Sequence, residues 1–274
     1  MANPTPIQFM STQAKLSKLS KKKSSKAKQK RPAKPMLSAN TSGRLIGVDV
    51  TRALAVILMI IFHFCYDLGY FDYMEMDVNA PFWAWFRYLI VTLFFLVVGI
   101  SLVLSTRSGI RWRSTLIRLS QVGAGALAVT VATMVVFPKA WVYFGVLHFI
   151  FLAILCALPL VNWPRISLLL GISIFALFNL TDWFNTHFLF VWLQPILHLP
   201  NATQDLTRFI PWFGMVLIGI YLGQAQLRWF YWPSWSVFKP LVWIGQHALS
   251  IYLIHQVVLY GLVWGFYTLT TTNT

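Results

Sequence analysis

The sequence predicts an all-α polytopic membrane protein with about seven transmembrane helices in one bundle. Of its 274 residues, 58% are hydrophobic and only 11% are charged, and the mean hydropathy is +0.66. Soluble domains carry about 25% charged residues, and apolar stretches of about twenty residues match the thickness of a bilayer. The net charge of +15 does not indicate nucleic-acid binding, because half of the 22 basic residues lie in the first 44 positions.

Residues 1–43 are predicted to form a disordered basic tail in the cytoplasm. They are rich in Lys, Ser, Ala and Pro and contain no acidic residue, so they can bury too little surface to offset the entropy of ordering. The apolar stretch that follows is too long for a signal peptide. The tail is typical of a positive-inside anchor, and recognition of anionic lipid or nucleic acid stays an alternative.

Residues 44–268 are predicted to form the membrane domain, followed by a short polar tail, 269–274, on the outer side. After the first span, the apolar stretches predict six more: Trp83–Leu104, Leu116–Phe137, Trp141–Val161, Ile166–Leu180, Phe209–Leu227 and Leu241–Phe266. Residues 187–199 contain Pro195 and are too few to span, which favours an interfacial or re-entrant helix. Seven spans with a cytoplasmic N-terminus leave only Arg87, Lys139 and Arg208 outside, in agreement with the positive-inside rule.

The first span, Arg44 to Asp67, carries an unusual polar stripe. Asp49, Arg52, His63 and Asp67 interrupt an otherwise apolar sequence, and ionisable groups at membrane depth are candidates for function. Arg52 and His63 are almost three helical turns apart, roughly 16 Å along the axis. Asp49 and Asp67 extend the stripe by one turn at either end. A cavity open inward near Arg52 and outward near His63 is expected, although Asp49 and Arg52 could also form a purely structural ion pair.

Three histidines on three spans, His63, His148 and His255, are predicted at neighbouring depths. Each has a structural alternative, because an intramembrane histidine can simply bond to a neighbouring helix. Arg87, at the outer end of the second span, can likewise be a snorkelling residue. The cysteines, Cys65 and Cys156, lie in apolar segments at different predicted depths, so neither a disulfide nor a metal site is expected.

Five stretches in order, VDVTRALAVILMIIFHFCYDL, FLVVGISLVLS, YFGVLHFIFLA, PWFGMVLIGIYLG and WIGQHALSIYLIHQ, resemble the bacterial heparan-α-glucosaminide N-acetyltransferase-like catalytic-domain family. The likeness covers roughly residues 44–260. Arg52 and His63 are also similar to the first-helix signature of the wider transmembrane acyltransferases, in which the two residues are implicated in handling acyl-CoA and in acyl transfer. The stretch from Asp205 to Pro211 and Trp212 resembles the family's outer-face segment that enters the sixth span.

The sequence departs from these families in two ways. Ala53 replaces the glycine that commonly follows the first-helix arginine, and the loop 69–82 lacks a histidine where the lysosomal enzyme has its proposed catalytic one. The resemblance to the wider acyltransferases therefore implies His63 as the catalytic residue.

The leading hypothesis is transfer of an acetyl group from cytoplasmic acetyl-CoA to an extracytoplasmic sugar or amine, in the bacterial inner membrane. His63 and Asp67 are the predicted catalytic residues. His63 would take the acceptor's proton or the acetyl group itself, and Asp67, one turn on, would orient its ring and stabilise its cation. Arg87 and Asp205 are placed on the acceptor side. The predicted acyl-donor site comprises Arg52, Arg107, Arg111, Arg113, His148 and His255. The arginines would bind the donor's phosphates, and His148 or His255 could donate to the thioester oxygen. Beyond acetyl-CoA, no metal or haem and no nucleic acid is expected. A homodimer, a proton-coupled transporter and a haem-binding electron carrier stay open as alternatives.

Overall fold

A computed structural model describes residues 45–181, 187–203, 205–225 and 236–271 of the chain. The predicted basic tail and the last three residues of the predicted polar C-terminal segment lie outside these ranges. The described residues belong to one compact unit and are helical nearly throughout. Their one β contact is an isolated bridge between Phe144 and Leu206. For this part of the chain the predicted all-α fold class is confirmed.

Four helices in the described part are long and apolar enough to cross a membrane. They are α1 (Ile46–Tyr70), α2 (Pro81–Thr106), α3 (Trp112–Val136) and the last helix, α9 (Ala248–Thr271). Many of their apolar side chains point away from the protein: Val135 and Val257 are each more than 70% exposed. Such surfaces need an apolar solvent, which identifies the chain as a membrane protein.

Five shorter helices complete the described fold: α4 (Val146–Ala157), α5 (Pro164–Leu180), α6 (His187–Leu197), α7 (Phe209–Gln224) and α8 (Lys239–Gln246). The 3₁₀ turn Leu158–Leu160 continues α4. Helices α4, α5 and α7 occupy the predicted fourth, fifth and sixth spans, but they are shorter than a typical span. Helix α6 lies where a short helix is predicted. The total of seven spans stays a prediction.

The predicted seventh span is divided in two, which the sequence does not suggest. His247 separates α8 from α9 with φ −102° and ψ 17°. Its backbone N–H donates to the carbonyls of Trp243 and Ile244, so the last turn of α8 tightens before α9 begins. Both helices, α8 before the break and α9 after it, pack against α1.

Glycines let α2 and α7 approach closely at the centre of the fold. A Cβ at Gly99 would overlap the backbone of Val216, and one at Gly219 would overlap the backbone of Leu96. Small residues of this kind are typical of helix contacts in membranes. Beside this crossing, the rings of Phe95 and Phe149 lie 4.0 Å apart between centroids, and both are fully buried. The contact therefore anchors α4 against α2.

Helix α1 lies along both α8 and α9. Gly245 of α8 contacts the backbone of Asp49, where a side chain would have no room. Further along, Ala248 packs in one apolar cluster with Val56 and Met59. These contacts turn the polar stripe of α1 towards α8 and α9 and hence into the protein.

Candidate active site

Arg52 is held by three helices at one end of the polar stripe. Its Nη1 donates to Asp49 Oδ1 at 2.8 Å and to the Gly245 carbonyl at 3.1 Å, and its Nη2 donates to Ser101 Oγ at 2.7 Å. Asp49 and Ser101 are buried, while the Arg52 side chain is 25% exposed. The predicted Asp49–Arg52 pair is confirmed, and α2 and α8 supply further partners.

Arg118 of α3 belongs to the same end of the stripe, and sequence reasoning did not select it. Its charge interacts with that of Arg52, and its side chain is partly buried. We call Asp49, Arg52, Ser101, Arg118 and Gly245 the arginine end. Its position in the sequence could have indicated this, because Arg118 lies six residues after the start of α3 and beyond the exposed basic loop. Its charge is therefore carried into the bundle.

The three loop arginines predicted to bind the acyl donor lie at the connection between α2 and α3. Arg107 donates to the Gly223 carbonyl at 3.3 Å, and Arg111 and Arg113 are exposed at the start of α3. Their part in donor binding stays a prediction.

The other end of the stripe contains a histidine pair. The rings of His63 on α1 and His255 on α9 lie 5.0 Å apart between centroids, at 64° to each other. The predicted neighbouring depth of these two residues is thus confirmed. His255 Nδ1 lies 2.6 Å from the Tyr252 carbonyl. A carbonyl oxygen can only accept, so Nδ1 carries the proton, and a neutral His255 presents a lone pair at Nε2.

Asp67 is nearly fully buried, at 1% exposure, and its contact differs from the expected one. The sequence predicts that it orients the ring of His63, one turn away. Instead, its Oδ1 accepts a hydrogen bond from Gln256 Nε2 at 2.9 Å, because α9 places this amide directly opposite the carboxylate. Gln256 was missed, although an amide beside a histidine in an apolar helix was a usable signal. We call His63, Asp67, His255 and Gln256 the histidine end.

His148 does not offer the free donor that the sequence predicts. Its Nδ1 accepts from the Gly145 N–H at 3.3 Å, so the proton lies on Nε2, which contacts Thr130 Oγ1 at 3.1 Å. That hydroxyl in turn donates to the Val142 carbonyl. Because both ring nitrogens are engaged, His148 fixes the start of α4 against α3. These contacts favour the structural alternative for His148, and its place in the acyl-donor site stays a prediction.

Asp205 also fixes the start of α4. Its Oδ2 accepts from the Val146 N–H at 3.0 Å, and Gly145 leaves the space that this carboxylate needs. Burial raises the pKa of Asp205, while the Val146 hydrogen bond and the charge of Arg87 oppose that shift. The structure thus brings together the two residues placed on the acceptor side. Their interaction is electrostatic and joins α2 to the loop before α7.

A cavity of about 410 Å³ borders the histidine end. His255 and Ile60 line it, together with apolar and aromatic side chains of α8 and α9. Arg52 is not part of its lining, so the expected continuous passage from Arg52 to His63 stays a prediction. Among the described residues, no group of three or more His, Cys, Asp or Glu side chains is arranged to hold a metal ion.

These features define an integral membrane protein in which neighbouring helices complete an arginine cluster and a histidine pair along the inward face of α1. The family model described as heparan-alpha-glucosaminide N-acetyltransferase, catalytic, matches residues 44–257. This is more than three quarters of the chain and contains both ends of the polar stripe. The chain belongs to this family, which confirms the resemblance seen in the sequence. Comparisons with curated proteins and with solved structures gave no match.

Proposed function

We propose that the protein transfers an acetyl group from cytoplasmic acetyl-CoA to a sugar or amine acceptor on the other side of the membrane. The observation that carries the proposal is the His63–His255 pair, 5.0 Å between ring centroids, inside a chain of this acetyltransferase family. Imidazole groups suit acyl transfer because they can act as bases or as nucleophiles near neutral pH.

The arginine end suits the phosphate groups of the donor. The charges of Arg52 and Arg118 interact, and Asp49 forms an ion pair with Arg52. Guanidinium groups bind phosphate in a two-pronged geometry. Arg107, Arg111 and Arg113 continue the positive charge along the connection between α2 and α3, where a donor would enter.

The histidine end suits the transfer itself. His63 takes the proton of the acceptor, or it accepts the acetyl group and passes it on. The charge of Asp67 stabilises the imidazolium that either route forms, although its direct hydrogen bond goes to Gln256. Asp205 and Arg87 stay the candidates for contacts with the acceptor.

The membrane arrangement is also part of the proposal. Seven spans, with the N-terminus in the cytoplasm and the C-terminus outside, would place the arginine end on the cytoplasmic side of the inner membrane of a bacterium. Reporter fusions at Gly109 and at the C-terminus should then report the cytoplasm and the outer side, respectively. The reverse assignment of either fusion would contradict it.

The test is transfer of label from acetyl-CoA in membranes that contain the protein. His63→Ala should lower the rate by about 10²–10⁴-fold, the usual contribution of a positioned acid or base. His198→Asn is a matched control, because His198 is exposed in a loop and Asn tolerates its positive φ. A folded His63→Ala protein with full activity would refute the assignment. Ion-driven uptake without an acyl donor would instead support a transporter.

A further inference from the structure

Three buried polar atoms at the contact between α1 and α9 have no hydrogen-bond partner among the described residues. They are Asp67 Oδ2, His255 Nε2 and Gln256 Oε1. Buried polar atoms are normally paired, and an unpaired one destabilises the folded protein. Three at a single helix contact therefore indicate a place that a ligand completes.

The existing hydrogen bonds show that all three atoms are acceptors. The Nδ1–H of His255 is used by the Tyr252 carbonyl, which leaves a lone pair on Nε2. The amide nitrogen of Gln256 is used by Asp67, which leaves the carbonyl oxygen Oε1. Asp67 Oδ2 is the second oxygen of the same carboxylate. A ligand that satisfies this set must bring N–H or O–H groups.

We propose that these atoms form the subsite for the acetyl acceptor, with His255 as the base that takes its proton. This inference rests on the proposed function and assigns the acceptor to the histidine end. Asp67 and Gln256 accept hydrogen bonds from the amine or hydroxyl groups of the acceptor and position it. They are held in place by their own hydrogen bond, so the pair is ordered before the acceptor binds.

The chemical step then balances within the subsite. The N–H or O–H proton of the acceptor moves to His255 Nε2, and the electron pair that it leaves forms a bond to the carbonyl carbon of the acetyl group. The carbon–sulfur bond of the thioester breaks, and the sulfur leaves with the electron pair of that bond as the thiolate of CoA. The imidazolium of His255 returns the proton to this thiolate or to solvent. No oxidant or further reactant is needed.

The same geometry excludes a different role for His255. As a neutral ring it has no proton at Nε2, so it cannot donate to the thioester oxygen, the role that the sequence suggests. A ring whose Nδ1–H is held by a backbone carbonyl, with a lone pair on Nε2, has instead the arrangement of a base. His63, whose ring faces His255, is then left to contact the thioester of the donor rather than to take the acceptor's proton.

The experiment measures steady-state transfer of labelled acetyl from acetyl-CoA to the acceptors of the membrane and to two added probes, glucosamine and methyl α-glucoside. Equilibrium binding of labelled CoA is measured separately. His255→Gln should lower kcat by about 10²–10⁴-fold without weakening CoA binding. Its control, His198→Asn, removes a histidine in an exposed position whose positive φ Asn tolerates, and it should leave kcat unchanged.

Gln256→Leu and Asp67→Asn should raise the KM for the acceptor by about 10–100-fold, the loss of one hydrogen bond to a charged group, while the KM for acetyl-CoA stays the same. Gln246→Leu, at an exposed position of α8, is the control. Asp67→Asn keeps an oxygen that can accept from Gln256 and has nearly the same shape as Asp67. It therefore tests the acceptor subsite even if Gln256→Leu does not fold.

The outcomes distinguish failure of the acceptor subsite from failure of the proposed function. An active wild-type protein whose acceptor KM is unchanged in both variants, or whose kcat survives His255→Gln, would overturn the subsite and leave the proposed function intact. A folded wild-type protein that binds no CoA and transfers acetyl to no membrane component or probe would overturn the proposed function itself.

Discussion

Arg52 donates to Asp49 at 2.8 Å, one helical turn away, and this pair balances only one of the two positive charges at the arginine end. Arg118 is close enough for its charge to interact with Arg52, and no acidic side chain within the described residues forms an ion pair with it. The interior of a helix bundle tolerates such an excess of positive charge poorly unless an anion binds there. The arrangement therefore favours a phosphate-bearing ligand at this end.

Arg118→Gln should raise the KM for acetyl-CoA by about 10–100-fold, because one charged hydrogen bond to a phosphate is lost. The rate at saturating donor should change little, since the histidine end is untouched. Steady-state kinetics in membranes measures both values. Arg165→Gln is the control, because Arg165 is exposed at the start of α5 and the substitution changes the net charge equally. Equal effects of the two substitutions would contradict a specific donor site.

Gly245→Ala should destabilise the protein by about 1–3 kcal/mol, the usual cost of overpacking. The new methyl group would overlap the backbone of Asp49, which cannot turn aside as a side chain can. It would also move the carbonyl that receives Arg52. The melting temperature in detergent reports the change. Gly265→Ala is the control, because nothing lies within 4 Å of a Cβ at that position; an equal loss there would show a general effect of replacing glycine.

His148→Ala should lower stability without raising the KM for acetyl-CoA. It removes the contacts with Gly145 and Thr130, which are together worth roughly 2 kcal/mol. Thermal melting and donor kinetics on the same preparation distinguish the two effects. A protein of normal stability that binds the donor poorly would show that His148 takes part in donor binding after all.

Asp205 should make stability fall as pH rises through the acidic range. Burial raises its pKa in the folded protein above the unfolded value, so the folded state binds more protons between the two values. Its stabilising contribution is therefore complete at lower pH and is lost as pH passes the folded pKa. Melting curves between pH 4 and 7 should show a steeper fall for the wild type than for Asp205→Asn. Parallel curves would contradict this linkage.

Contacts within one helix were the easiest to predict from the sequence. Asp49 and Arg52 are three residues apart, and the helical period alone brings them together. His63 and His255 required one more step, because their depths follow from where each apolar stretch begins. The five co-linear stretches also identified the family, since their order along the chain is far more specific than any one motif.

Contacts that depend on the rotation of a helix about its axis could not be predicted. Hydropathy fixes how deep Gln256 and Arg118 lie, but not which neighbour each faces. The hydrogen bond from Gln256 to Asp67 depends on which face of α9 is turned towards α1. The network of His148 depends on the loop before α4, whose backbone N–H and carbonyl groups no side-chain pattern reveals.

The missing side chain at Gly245 gives the two ends of α1 different stiffness. At Asp49 the backbones of α1 and α8 touch directly, so no rotamer change can alter their spacing. At His63 the opposing helix is reached through rings that can turn about their own bonds. Motion during a catalytic cycle should therefore be concentrated near the rings, and backbone hydrogen exchange should be slower around Asp49 than around His63.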